Sequence, residues 1–109
     1  MATIKSFTDL TQSKVLAKFL PLESADMRYA PIGDIHPWVW EGNPKLLEPD
    51  STPCWSLATL LDVLPSATLD SSSDHYYRLY CMTKYTEWYD NPVDACVAMI
   101  EKLHEQKLL

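Results

Sequence analysis

The 109 residues, 47% of them hydrophobic and 22% charged, make one domain with enough apolar surface to fold unaided, which excludes the disordered class. The net charge of −6 collects in the middle, where residues 23–74 carry nine acids against Arg28 and Lys45, so a phosphate backbone is excluded as a natural partner. Three scattered cysteines, no secretory apolar segment before residue 10 and no apolar run of about 18 residues argue against a disulfide framework and a membrane helix, and predict a reducing, cytoplasmic setting.

In chain order, Thr8 to Leu20 reads as a helix. Asp9 and Gln12 have the spacing of a capping box, Val15, Leu16, Phe19 and Leu20 form an apolar stripe, and Pro21 ends it. A short turn is expected at Glu23–Met27, with Ser24 as its cap. Residues 28–50 are broken by prolines at 31, 37, 44 and 49, and Gly42-Asn43-Pro44 is a turn signal. Within this long loop Trp38-Val39-Trp40 predicts a short edge strand; long ordered loops are often functional or bound to a partner.

Thr52 as N-cap and Pro53 at the first helical position predict a second helix bearing Leu57, Leu60, Leu61 and Leu64, stopped by Pro65. Ala67–Leu69 is a candidate strand and Asp70-Ser71-Ser72-Ser73-Asp74 a polar loop. The Tyr-rich run that follows predicts two antiparallel strands, Tyr76–Met82 and Tyr85–Tyr89, turning near Thr83-Lys84. Tyr77, Leu79 and Cys81 alternate with Tyr76, Arg78, Tyr80 and Met82, so one face is covered by helices and the other only partly. Asn91-Pro92 then opens a helix to about Gln106 with the stripe Val93, Cys96, Val97, Ile100 and Leu103 and a solvated back. Two glycines against eight prolines predict few positive-φ turns.

Four blocks of the chain, in order, carry a resemblance. They are Gln12-Ser13-Lys14 to Leu20-Pro21, Glu23-Ser24-Ala25-Asp26-Met27, Pro53-Cys54-Trp55-Ser56-Leu57-Ala58 to Leu64-Pro65, and Asp90-Asn91-Pro92-Val93-Asp94-Ala95-Cys96 to Leu103-His104. This set resembles a group of small uncharacterised proteins encoded in gut-bacterial phages, prophages and other mobile elements. The terminal helix–hairpin–helix also looks like the phage-type α-β-β-α sandwich domain. The resemblance implies a genomic setting and a compact fold; it brings no reaction, cofactor or catalytic residue.

The residues themselves offer no catalytic constellation. His36, His75 and His104 with three cysteines show no metal-binding spacing, so no metal and no cofactor is expected. Cys96 belongs to an apolar stripe. Cys54 falls in the first turn of the predicted second helix, where the dipole would favour a thiolate. The carboxylate pairs Asp90/Asp94 and Glu101/Glu105 read as helix-cap and solvated-face residues.

What is left over is aromatic. Trp38, Trp40, Tyr77, Tyr80 and Trp88 are the expected contact residues for a protein partner, since Trp and Tyr dominate interface hot spots. The expectation is a single α+β domain over residues 1–109, about three α-helices on a small antiparallel sheet of two to three strands. Its expected role is that of a non-enzymatic accessory protein of a phage or mobile element, bound to another protein or to a second copy of itself as a homodimer, and to neither nucleic acid nor membrane. Two alternatives come from other classes: an acidic DNA mimic that inhibits a nuclease, and a small enzyme using Cys54 or His75.

Overall fold

The computed structural model describes residues 5–29, 38–39 and 51–109. Among them the chain forms three α-helices and two three-stranded antiparallel sheets, an α+β arrangement with one sheet more than the sequence predicts. Its contacts divide into two units, one formed by described residues of Phe7–Thr59 and the other by residues 5–6 and 60–109. No helix among the described residues is long and apolar enough to cross a membrane.

In the first unit, helix α1 (Leu10–Leu16) starts where the capping box places it. The Asp9 carboxylate accepts from Gln12 N at 2.8 Å, and the Gln12 side chain accepts from Asp9 N at 3.1 Å. The helix is shorter than the predicted Thr8–Leu20. At its start, Thr8 is drawn into backbone pairing, donating to Trp55 O at 2.9 Å. At its end, Lys18 and Phe19 bond three residues back, which tightens the chain into turns before Pro21. A 3₁₀ turn follows at Leu22–Ser24 rather than Glu23–Met27, because Met27 already belongs to strand β1 (Met27–Tyr29).

Strand β1 is central, flanked by β2 (Trp38–Val39) and β3 (Thr52–Cys54). The predicted edge strand at Trp38-Val39 is present, and Trp40 lies outside the described residues. Thr52-Pro53 does not start a helix. Pro53 sits opposite Arg28 in the outer strand β3, a position that tolerates a residue without an N–H. Helix α2 (Leu57–Val63) begins later, after Ser56. The Asp26 carboxylate accepts from Ser56 N at 2.9 Å, from the Ser56 hydroxyl at 2.6 Å and from the Thr59 hydroxyl at 3.2 Å. A carboxylate 30 residues upstream therefore fixes the helix start.

In the second unit, β4 (Thr68–Ser71), β5 (Tyr77–Cys81) and β6 (Lys84–Tyr85) run in that order across the sheet. Strand β4 takes in Asp70 and Ser71, two of the five residues expected to be a polar loop. Helix α3 (Pro92–Glu105) lies against β5. Asn91 caps it, its side-chain oxygen accepting from Asp94 N at 2.8 Å, and the Lys5 ammonium reaches the Asp94 carboxylate at 2.9 Å. The stripe Val93, Cys96, Val97, Ile100 and Leu103 is buried as expected. Ala95 and Met99 are buried too, so the solvated back narrows to a half-exposed strip through Asp94, Ala98, Glu101 and Lys102.

Positive-φ turns are more common than two glycines imply. Ser66, His75, Met82, Thr83 and Lys107 all take left-handed conformations. Met82 (φ 51°) and Thr83 (φ 66°) form the two-residue connection between the paired Cys81 and Lys84. Both residues in such a turn need positive φ, which is costly for a β-branched threonine. Replacing Met82-Thr83 by Asn-Gly is expected to stabilise the protein by about 1–2 kcal/mol. A urea titration checks this: the midpoint rises with an unchanged slope, and a lower midpoint contradicts a strained turn.

Candidate functional site

The period of two along β5 sorts its side chains into an inner and an outer face. Leu79 and Cys81 point inward and are fully buried, with Tyr77 half-buried on the same side. Tyr76, Arg78 and Tyr80 share the other side, where Tyr76 is 48% exposed. The helix α3 accounts for the difference, since it covers the inner face. Tyr77 and Tyr80, expected to act together, therefore lie on opposite faces.

Arg78 organises the outer face. Its guanidinium carbon stands 4.3 Å from the centre of the Tyr85 ring and 4.6 Å from that of Trp88. Its Nε donates to the Asp70 carboxylate at 3.3 Å, across the β4–β5 ladder where these two residues are paired. Tyr80 faces Tyr85 in the β5–β6 register, and their ring centres are 4.6 Å apart. Each cation–π contact at a partly exposed site is worth about 0.5–1 kcal/mol. The ion pair adds at most about 1 kcal/mol, being partly solvated. Together they hold an exposed aromatic surface in one arrangement.

Trp88 reaches this face because the predicted strand Tyr85–Tyr89 is interrupted. Tyr85 pairs with Tyr80, and Thr86 N donates to Leu79 O at 2.9 Å, with the Thr86 hydroxyl accepting from Leu79 N. Pairing resumes at Tyr89, which exchanges two 2.7 Å backbone bonds with Tyr77. Glu87 and Trp88 together stand opposite Arg78 alone, the geometry of a β-bulge. In an unbroken register Trp88 would alternate onto the inner face. The extra residue turns it outward, where it is 45% exposed and stacked on Arg78.

The loop between β4 and β5 adds to this rim. The Ser72 hydroxyl accepts from Asp74 N and Tyr76 N, Ser72 N donates to Tyr76 O, and His75 (φ 65°) closes the turn. Ser72, Asp74, Tyr76 and Trp88 line an open depression of about 300 Å³. Tyr76, Arg78 and Tyr85 thus belong to the site alongside the predicted Tyr80 and Trp88. The alternation of Tyr76, Arg78 and Tyr80 was the signal that could have gathered the first two, while Tyr85 joins through the β5–β6 register.

The cysteine candidate has a different setting. Cys54 is on strand β3 and fully buried, so no helix dipole acts on its sulfur. Its thiol donates to Thr8 O at 3.3 Å and lies 3.5 Å from the Thr8 hydroxyl, which is 2.7 Å from Ser13 Oγ. The Tyr29 hydroxyl also donates to Thr8 O, at 2.7 Å. Burial raises the Cys54 pKa, and the hydrogen bonds from Thr8, Ser13 and Tyr29 only partly oppose it. Burial raises Cys81 as well and pushes Cys96 up to about 12. All three thiols are buried, and through Cys54 and Trp55 the residue Thr8 ties the start of the first unit to β3 and the residue after it.

Among the described residues, no group of three or more His, Cys, Asp or Glu side chains is placed to hold a metal ion. No protein-family model matches the chain, and neither a curated protein nor a solved structure shows significant similarity to it.

Two outcomes follow from the buried thiols. At pH 8, iodoacetamide is expected to leave Cys54, Cys81 and Cys96 unmodified in the folded protein and to modify all three in urea; rapid native labelling of Cys54 contradicts the buried latch. The raised folded pKa values also mean that the unfolded chain loses its thiol protons first. Stability is therefore complete below the ordinary thiol range and declines as pH rises above about 9. Urea midpoints between pH 7 and 11 measure this, and a flat profile contradicts it.

Proposed function

We propose that this chain is a non-enzymatic accessory protein of a phage or mobile element, acting by binding another protein through the outer face of the β4–β5–β6 sheet. The observation that carries the reading is the Arg78 cluster: Tyr85 and Trp88 held on an exposed surface by one guanidinium, with Tyr80 packed against Tyr85. Arg, Tyr and Trp are the residue types that dominate interface hot spots. Their order before binding lowers the entropic cost of association, because the side chains have already lost rotamer freedom. The bulge supports the same reading, since it brings a large indole out of the covered side into solvent. The phage setting rests on the sequence resemblance, and Trp38 and Trp40 are proposed as further contacts on the sequence argument alone.

The test is capture of the partner from the native host background by tagged wild-type protein, with the variants Arg78→Ala, Tyr85→Ala and Trp88→Ala in parallel and the absolute mass measured by light scattering. A stoichiometric partner, or a dimer mass, is expected for the wild type. Trp88→Ala is expected to weaken the interaction by at least about tenfold, as truncation of a hot-spot aromatic does. Undiminished binding by all three variants contradicts this face as the contact surface.

A further inference from the structure

The depression lined by Ser72, Asp74, Tyr76 and Trp88 has a composition suited to one kind of occupant. Two of the four described residues that line it are exposed aromatics, whose ring faces attract cations. A third, Asp74, carries a negative charge. Among the described residues no ion pair engages the Asp74 carboxylate; only its backbone N–H is used, in the bond to Ser72. The nearby positive charge, Arg78, stands beside Trp88 and is held by Asp70, which offsets its repulsion of a second cation. Arg78 also shows how this face treats a guanidinium: it stacks it on aromatic rings beside a carboxylate.

Resting on the reading of this sheet as a protein-binding face, we propose that the depression receives the guanidinium or ammonium group of a basic side chain from the partner protein. Tyr76 and Trp88 provide the ring surfaces and Asp74 the countercharge. The chain's net charge of −6 complements a basic partner segment over longer range. An anionic or purely aliphatic occupant fits less well, because Asp74 would be left repelled or desolvated without a partner.

The full chain, labelled with ¹⁵N, is titrated with N-acetyl-arginine amide and N-acetyl-lysine amide, and the Trp88 indole and the amides of residues 72–76 are followed by NMR. Saturable shifts are expected at these positions, with a Kd on the order of tens of millimolar for one exposed cation site. Asp74→Asn is expected to weaken binding roughly three- to fivefold, the scale of an exposed ion pair. Trp88→Ala is expected to weaken binding roughly two- to fivefold, read at the amides of residues 72–76. Glu105→Gln removes the same charge at the end of α3 and is expected to leave the affinity unchanged. All three positions are exposed, so each variant is expected to keep the native spectrum elsewhere.

Equal binding of the neutral N-acetyl-citrulline amide overturns the proposal, as does an equal loss from Glu105→Gln, which would reduce the effect to net charge. Tighter binding of tetramethylammonium than of either amide reassigns the site to a free organic cation. Because this titration uses no partner, a positive result survives failure of partner capture. Conversely, capture that persists with a silent titration overturns the cation site and leaves the binding face standing.

Discussion

The Arg78 guanidinium lies over two aromatic rings and beside the Asp70 carboxylate, and the exposed side of its sheet is built around these contacts. A guanidinium suits this place because it is planar, permanently charged and weakly hydrated, so it can stack on Tyr85 and Trp88 while donating to Asp70. Lysine would keep the charge and lose the stacking geometry. The arrangement links three neighbouring strands: Asp70 comes from β4, Arg78 from β5 and Tyr85 from β6. Trp88 enters only because the bulge opposite Arg78 reverses the alternation of its chain. Local backbone geometry and side-chain chemistry are thus two parts of one device, which leaves an ordered aromatic surface uncovered by helix.

The other unit uses polar groups in the opposite way, to close its interior. Thr8 is fully buried, and its N–H, carbonyl and hydroxyl all bond to groups on β3, α1, Trp55 or Tyr29. The buried indole of Trp55 donates to Ser24 Oγ at 2.9 Å, which in turn donates to Pro21 O. Satisfied networks of this kind cost little when complete and much when one member is removed. Cys54 belongs to this network, which explains its burial without invoking chemistry at sulfur.

Much of the framework was legible because it depends on short-range rules. The capping box Asp9/Gln12, the Asn91-Pro92 start of α3 and the alternation along β5 each lie within a few residues of sequence, and each is present. The start of α2 was misplaced at Thr52-Pro53 because proline serves equally at a helix start and on an outer strand, and the deciding group, Asp26, is remote in sequence. The left-handed turn at Met82-Thr83 was hidden because neither residue favours positive φ; pairing of the flanking strands imposes it. The same holds for the candidate site. Tyr80 and Trp88 could be chosen as aromatics, but choice by residue type also took in Tyr77 from the opposite face of β5, and the bulge that turns Trp88 outward depends on register with β5.

The open face around Arg78 is the surface proposed to bind another protein. Hydrogen–deuterium exchange on the purified complex, compared with the free protein, tests this most directly. Added protection is expected to concentrate in residues 77–89, with the amides of α3 unchanged. Protection confined to α1 or α3, with 77–89 exchanging as in the free protein, would contradict it.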